Sequence, residues 1–278
     1  MVADLVKNIG GEQVKVTSLM GPGVDPHLYK ATPGDLRDLR SADIIFFSGL
    51  HLESKMTGLF EKMARFQPIF AVADGIPEKH LINTPEFTGM YDPHLWFDVE
   101  LWRMAGEHVR DVMVAFDPER ADDYRANARE YLARFEELEA FVRESLATIP
   151  PEQRLMITAH DAFGYFGKAY DIDVKGIQGL STVSEAGVRR VNKLVSMLVK
   201  RNVRAVFVES TVSDKNVRAL VEGARARGHK VRIGGQLYSD AMGNRGTPEG
   251  TYIGMVRHNV ETLVQSLAGK ETTATGSE

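Results

Sequence analysis

The tetrapeptide Asp-Pro-His-Leu occurs twice in the chain, at Asp25–Leu28 and at Asp92–Leu95. Each proline fixes its own φ at about −65° and holds the preceding residue extended, so both histidines stand on stiff loops. Each loop also carries an aspartate two residues before its histidine. That carboxylate could accept a hydrogen bond from the ring nitrogen that does not bind a metal. We therefore interpret His27 and His94 as two ligands of one divalent cation.

Two further residues complete the predicted ligand set. His160 follows the apolar run Leu155–Thr158, and Asp240 lies on the loop after Val231–Ile233. Neutral imidazole is a good ligand for zinc and similar divalent metals, and a carboxylate supplies compensating negative charge. The sequence thus predicts a nearly closed site of three histidines and one aspartate, which holds one cation per chain.

A single histidine is more often a surface or core residue than a ligand, so the other candidates have to be weighed. His51 follows a predicted strand and competes most directly for a place at the site. Glu209 also stands at a strand end, where it would accept from a ligand histidine or hold a loop through backbone amides; the structural role is favoured. Four histidines in polar or helical surroundings receive no role: His80, His108, His229 and His258.

Short apolar runs that alternate with helical segments predict an α/β fold with largely parallel, buried strands. The predicted strands are Val14–Leu19, Ile44–Phe47, Ile69–Ala73, Leu155–Thr158, Val174–Ile177, Ala205–Val208 and Val231–Ile233. In doubly wound folds, ligands gather at the carboxyl ends of the strands. All four candidate ligands fall on loops that follow strands, two in each half of the chain.

One predicted helix is much longer than a normal crossover. Nothing interrupts a helix from Asp117-Pro118 to about Ala147, and its apolar residues recur every three or four positions. A helix of about 30 residues is about 45 Å long, which favours a spine between two lobes over a coiled-coil segment. Thr32 and Ser184 are the predicted N-caps of two shorter helices.

Composition excludes several classes of function. The chain has 278 residues, 43% of them hydrophobic and 26% charged, which is typical of a soluble globular protein. The net charge is −4 and basic residues do not cluster with aromatic ones, so nucleic acid is not expected as a partner. There are no cysteines, which excludes thiolate metal sites and cysteine nucleophiles. No motif for a nucleotide cofactor, a His-Glu-x-x-His protease or a serine hydrolase occurs.

Several long motifs, in order along the whole chain, resemble the TroA-like family. They are Met20–Lys30, Tyr91–Asp98, Thr158–Phe166, Val208–Thr211, Leu237–Gly243 and Gly250–Asn259. Members of that family are the zinc- and manganese-binding solute-binding proteins of ABC transporters. The resemblance implies two α/β lobes joined by one long helix, with the metal between the lobes. The positions that match the family's ligands are His27, His94, His160 and Asp240, the same four residues that the motifs and strand ends indicate.

The resemblance also implies a domain plan and a set of partners. We expect an amino-terminal lobe at 1–116, a linking helix at 117–148, a carboxyl-terminal lobe at 149–268 and a disordered tail at 269–278. Relatives begin with an export signal and a first strand, so this chain looks truncated or started late and its first lobe is expected to lack that strand. The implied role is extracytoplasmic capture of a metal ion by a monomer, periplasmic or anchored to the membrane, and delivery to a membrane permease.

The identity of the metal and two rival functions stay open at this point. A nitrogen-rich site favours zinc, while a bidentate Asp240 would accommodate manganese. A zinc hydrolase would need an open coordination position and a general base, for which Glu209 is the only obvious candidate. A surface adhesin stabilised by metal is the other alternative. We expect a binding protein rather than an enzyme.

Overall fold

The computed structural model describes residues 1–84 and 89–268, and the structural statements below concern that part of the chain. Its α-helices are α1 Val2–Gly10, α2 Pro33–Ser41, α3 Thr57–Met63, α4 Val99–Phe116, α5 Ala121–Ala147, α6 Gly164–Tyr170, α7 Val188–Lys200, α8 Lys215–Arg225 and α9 Tyr252–Leu267. Its strands are β1 Ile45–Phe47, β2 Ile69–Ala71, β3 Leu155–Thr158, β4 Asp173–Gly176, β5 Ala205–Glu209 and β6 Arg232–Leu237. Helices and strands alternate, which confirms the predicted α/β class.

The strands pair in parallel, and each pair joins neighbours along the chain. In the first lobe β1 pairs with β2, so that Ile45 lies opposite Ile69. In the second lobe β3 pairs with β4 and β5 with β6, and a register shift falls between Val206 and Phe207. Parallel strands need helical crossovers and are often buried on both faces, and the apolar runs of β3 and β5 are almost entirely buried here. Strands β4 and β6, which pair with them, are more polar and only partly buried.

Helix α5 is the predicted spine between the lobes. It has 27 residues, which corresponds to a length of about 40 Å. One face is buried, and its residues are Tyr124, Ala128, Tyr131, Leu132, Phe135, Leu138, Val142 and Leu146. That face packs against α1 and α4 of the first lobe and against α9 of the second. The helix therefore joins the two lobes by sharing their core, and it is not half of a coiled coil.

Three apolar clusters form the core. The largest runs through both lobes along α1, α4, α5, α6 and α9. The second lies within the second lobe, between its strands and α7 and α8, and the third lies within the first lobe around α2, β1 and α3. Because the largest cluster is continuous between the lobes, they are packed as one body along the spine.

Two sequence-based details are wrong. The segment Val14–Leu19 is not a strand: Val14 and Val16 pack on the core, but the segment forms no ladder with another described strand. Ser184 does not cap α7, which begins at Val188 after an uncapped Gly187. The carbonyl of Ser184 instead accepts from the Gln178 side chain at 3.2 Å, six residues earlier, and Ser184 ends a turn that precedes the helix.

Other local predictions are confirmed. Thr32 caps α2, where its hydroxyl accepts from the Asp35 amide at 3.2 Å and its own amide donates to the Asp35 carboxylate at 2.6 Å. Among the described residues, none of the helices is sufficiently long and apolar to span a bilayer. The predicted tail at 269–278 lies outside the described residues.

Candidate metal centre

The loop that carries His27 lies between Gly23 and helix α2. Gly23 has a φ of +72°, a value that glycine adopts without strain, and it turns the chain into the Asp-Pro-His-Leu segment. The His27 amide donates to Asp25 Oδ1 at 2.8 Å, which fixes the backbone of the loop. The Tyr29 hydroxyl then donates to Asp35 in the first turn of α2 at 2.7 Å. The loop is thus anchored to α2 immediately after the histidine.

The second tetrapeptide places His94 differently. A single oxygen, Asp92 Oδ1, accepts from the His94 amide at 2.9 Å and from His94 Nδ1 at 2.8 Å. This is the ring contact expected of both tetrapeptides, and in the first one the expectation is wrong. There Asp25 Oδ1 accepts from the His27 amide, and Asp25 Oδ2 accepts from the Thr182 hydroxyl at 2.6 Å. The Asp25 carboxylate therefore accepts hydrogen bonds from the His27 backbone and from Thr182 rather than from the His27 ring.

His160 stands two residues past the end of β3 and is held from the neighbouring strand β5. Glu209, the last residue of β5, accepts from the His160 amide through Oε1 at 2.8 Å and from His160 Nδ1 through Oε2 at 2.5 Å. The Thr158 hydroxyl donates to the His160 carbonyl at 2.7 Å. Glu209 thus fills both roles considered for it, because it orients a ligand ring and holds a loop.

The four predicted residues come together between the lobes. One candidate ligand atom from each of His27, His94, His160 and Asp240 lies within 4.8 Å of the others. The Nε2 atoms of His27 and His94 are 3.3 Å apart, and Nε2 of His160 is 3.3 Å from Asp240 Oδ2. His94 Nε2 is 3.4 Å from Asp240 Oδ1, and His27 Nε2 is 3.7 Å from Asp240 Oδ2. Ligands about 2.05 Å from a tetrahedral cation are separated by about 3.3 Å, so the spacing fits one ion.

Two of the four residues, His160 and Asp240, have buried acceptor atoms with no donor to pair with. A carboxylate only accepts hydrogen bonds, so the protons shared with Asp92 and Glu209 lie on the Nδ1 atoms of His94 and His160. Their Nε2 atoms therefore direct lone pairs toward Asp240. His160 Nε2 and both oxygens of Asp240 are buried with no hydrogen-bond partner among the described residues. Buried acceptors without donors are costly, and a cation at their centre would satisfy them together.

Burial and mutual charge shift the pKa values of these groups. Burial lowers the pKa of His27 to about 3, with His94 and His160 adding to that shift against the opposing charge of Asp240. Burial alone would raise the pKa of Asp240, but the three imidazoles outweigh it and hold that pKa well below its usual range. Burial likewise opposes protonation of His160, yet Glu209 and Asp240 raise the pKa of His160 well above its ordinary value. Protons and a metal ion therefore compete mainly at His160.

The other sequence candidates lie outside this cluster. His51 is exposed and has a left-handed backbone with a φ of +64°, so it does not join the four ligands. His229 and His258 each bond a backbone carbonyl, at 2.6 and 3.1 Å. His80 is part of a surface 3-10 turn, and His108 lies on α4. None of these four histidines belongs to the cluster.

Sequence reasoning missed the hydrogen bonds that connect the two lobes beside the site. Thr182 bonds Asp25, and the Tyr165 hydroxyl donates to the Asp92 carbonyl at 2.9 Å. The Trp96 indole donates to the Ser239 carbonyl at 3.1 Å, directly beside the His94 ring. Tyr165 and Trp96 flank the histidine motifs in sequence, which was the available signal. Nothing in the local sequence distinguishes Thr182 from other loop residues.

Comparison with known proteins identifies the family. The family described as ZnuA, zinc-uptake complex component A, periplasmic, matches residues 1–266. The chain belongs to this family. The family's members are substrate-binding components of metal transporters and not enzymes.

Two relatives, and the solved structure of one of them, show how similar this chain is to known proteins. The manganese-binding lipoprotein MntA of Bacillus subtilis (strain 168) is 51% identical over 266 residues, which cover 96% of this chain and 87% of the relative. The zinc-binding protein TroA of Treponema pallidum (strain Nichols) is 45% identical over 268 residues, covering 96% and 86%. The solved structure of the periplasmic zinc-binding protein TroA from Treponema pallidum superimposes with a TM-score of 0.93 and covers 96% of each chain. The two-lobe fold with a linking helix is therefore that of TroA.

Proposed function

We propose that this protein captures one zinc or manganese ion outside the cytoplasmic membrane and delivers it to the permease of an ABC transporter. The ligands are His27, His94, His160 and Asp240, and the ion is cargo that must leave again. Family membership supports the transport role, and the names of relatives that include "periplasmic" and "lipoprotein" support the location. We further propose that it works as a monomer with lobes at 1–116 and 149–268 and a linking helix at 117–148.

One observation carries the metal assignment. Two imidazole rings are locked by carboxylates so that their Nε2 lone pairs face a third imidazole and an aspartate. A buried set of acceptors without donors attracts a cation and repels an anion. The carboxylate of Asp240 balances one of the two charges of a divalent ion, and Asp92 and Glu209 contribute further negative charge just behind the rings.

The donor set supports tighter binding of zinc than of manganese. Three imidazole nitrogens and one carboxylate suit zinc, and for such sites the general affinity order places zinc above manganese. Both oxygens of Asp240 face the centre, because Oδ1 is nearest His94 and Oδ2 is nearest His160. A bidentate Asp240 would raise the coordination number to five, which also accommodates manganese. We propose that both ions bind and that their availability decides which one is transported.

The geometry gives no support to a hydrolase. A zinc hydrolase needs a general base close to a metal-bound water. Glu209 was the candidate, and both of its oxygens are already bonded to His160. The four ligands also enclose the centre: His94 and His160 are fully buried, and His27 is only 3% exposed. A closed site of this kind suits capture of an ion.

The proposal is tested by titrating zinc into chelator-stripped protein in a calorimeter. The parent protein should bind one ion per chain, and His94→Ala and Asp240→Ala should each abolish tight binding. The matched control is His258→Ala, which removes a half-buried histidine outside the cluster. Unchanged affinity in both ligand variants would overturn the assignment. A competition titration of zinc against manganese, together with elemental analysis of the purified protein, establishes the order of affinity.

A further inference from the structure

The two Asp-Pro-His-Leu loops are held to the second lobe very unequally. Around His94 the contacts are numerous and buried. Trp96 donates to the Ser239 carbonyl at 3.1 Å, and Tyr165 donates to the Asp92 carbonyl at 2.9 Å. The rings of Phe97 and Phe163 lie 4.2 Å apart between their centroids. Any outward movement of the His94 loop would pull this packing apart.

The His27 loop has a single polar attachment of this kind. Apart from the four ligands themselves, the described residues contain one hydrogen bond between this loop and the second lobe, from the Thr182 hydroxyl to Asp25 Oδ2 at 2.6 Å. Gly23 approaches the Ser210 carbonyl without a hydrogen bond. Asp25 and Thr182 are both half-buried. The chain is exposed close to each of them, since Leu28 is 49% exposed and Val183 is 50% exposed, although Pro26 and His27 are buried. The bond therefore lies near the edge of the interface between the lobes.

The remaining three ligands are fixed in the core. His94 is followed by Leu95, Trp96 and Phe97, which are all buried, so this loop cannot move without exposing them. His160 is held at two atoms by Glu209. Asp240 lies between buried Ser239 and nearly buried Ala241. Of the four ligands, His27 is thus the one whose displacement costs the least apolar burial.

We propose that the Thr182–Asp25 hydrogen bond is a latch, with Thr182 as a positioning residue that keeps His27 over the captured ion. The ion leaves when this bond breaks and the Asp25–Leu28 loop swings outward, while the other three ligands remain in place. The inference rests on the proposed function, because it assumes that the four residues bind a metal ion. Beyond the proposed function, the inference identifies His27 as the ligand that moves and Thr182 as the residue that restrains it.

Thr182 is itself held firmly enough to act as an anchor. The Ser181 hydroxyl accepts from the Val183 amide at 3.3 Å, and Gln178 donates to the Ser184 carbonyl at 3.2 Å. Farther along the segment, Glu185 accepts from Asn216 of α8 at 3.3 Å. The Thr182 hydroxyl is therefore presented by a segment of the second lobe that has hydrogen bonds of its own.

The dissociation rate of the metal tests the latch. Protein loaded with zinc is mixed with an excess of a chromogenic chelator in a stopped-flow instrument, and the limiting rate at high chelator concentration is measured. Thr182→Val keeps the shape of the side chain and removes the donor, so zinc should leave about tenfold faster, the factor expected for one hydrogen bond to a carboxylate. The melting temperature of the metal-free protein should not change, because the residue lies near the edge of the interface between the lobes.

Two further variants separate the hydroxyl from other effects. Thr182→Ser retains a donor and should keep the dissociation rate of the parent. Thr148→Val removes a hydroxyl that bonds the Ser145 carbonyl at the end of α5, far along the chain from the site, and should leave the rate unchanged. A parent-like rate in Thr182→Val, or equal acceleration in Thr182→Ser, would overturn the latch. Failure of the parent protein to retain zinc at all would instead refute the proposed function.

Discussion

The carboxylates behind His94 and His160 should respond very differently to loss of their charge. Glu209 uses one oxygen for the His160 amide and the other for His160 Nδ1. In Glu209→Gln one of those oxygens becomes an NH2 group, which then faces a donor in either orientation of the amide. If it faces the ring, the proton must move to Nε2, and that nitrogen can no longer bind a metal. If it faces the backbone, a buried amide loses its acceptor.

Asp92 offers a direct comparison within the same molecule. A single atom, Asp92 Oδ1, accepts from both the amide and the ring of His94, whereas Oδ2 is directed toward Gly164. In Asp92→Asn the carbonyl oxygen can occupy the position of Oδ1 and keep both bonds. The variant therefore loses negative charge but preserves the orientation and tautomer of the ring.

The different hydrogen bonds of Glu209 and Asp92 predict different losses of zinc affinity when each residue is replaced by its amide. Replacement of a group that orients a metal ligand costs about 10- to 100-fold in metal affinity. We expect Glu209→Gln near 100-fold and Asp92→Asn near tenfold, a difference of about 1.4 kcal/mol in binding free energy. The measurement is a competitive zinc titration against a chromogenic chelator of known affinity. The control is Glu222→Gln, a change of the same type on the exposed face of α8.

The order of the two losses is the decisive result. Equal losses in the two variants would show that charge alone matters and that the tautomer argument is wrong. A larger loss in Asp92→Asn would contradict the reasoning outright. A circular dichroism spectrum and a melting curve of each metal-free variant establish that both proteins are folded before their affinities are compared.

Two further predictions concern protons and stability. Glu209 and Asp240 raise the pKa of His160 against the opposing effect of burial, so a proton competes with zinc for Nε2 of this ring as the pH falls. Zinc must displace that proton, so the affinity for zinc should fall by about tenfold per pH unit as the pH decreases from 8 to 5. Calorimetry in buffers of different ionisation enthalpy should detect the release of about one proton. Binding that does not depend on pH would contradict histidine ligation. Free zinc at 100 times its Kd should increase the free energy of unfolding by about 2.7 kcal/mol. For a chain of this length, that raises Tm by about 5 °C. A melting curve that neither zinc nor manganese changes would refute the site.

The four candidate ligands, which the structure brings together, could be picked out from the sequence because their signals are local. A histidine after a proline, or a polar residue just past an apolar strand, marks a loop at the carboxyl edge of a parallel sheet. The long helix was equally visible, since its apolar stripe continues from Tyr124 to Leu146 without a breaker. These features depend on residues that are near one another in the sequence, and the structure contains them as expected.

The different roles of two identical tetrapeptides could not be predicted. Asp92 contacts the ring of its own histidine, whereas Asp25 contacts Thr182, which is 157 residues away in the chain. The local sequence is the same, so the partner across the interface decides which hydrogen bond forms. The failed cap at Ser184 has a related origin, because the adjacent Glu185 accepts from Asn216 of α8, 31 residues away in the chain. Tertiary partners of this kind leave no periodic signal.

The spine helix limits how the captured ion can be released. At the end of the molecule near α1, the carboxylate of Asp4 accepts from the Tyr131 hydroxyl of α5 at 2.5 Å and lies 3.4 Å from the Tyr252 amide of α9. Near the site, the Tyr252 hydroxyl donates to the Trp96 carbonyl at 2.8 Å. One line of contacts thus ties the lobes together from α1 to the metal ligands.

Wide opening of the lobes would have to break that line. It would also separate side chains of the core cluster that both lobes share, and burial of apolar surface is the dominant favourable term in folding. Loss of the Thr182–Asp25 hydrogen bond exposes none of that core. If the ion is held by the four proposed ligands, displacement of His27 by its loop is the release route that we expect to require the least work. Such a movement leaves His94, His160 and Asp240 ready for the next ion.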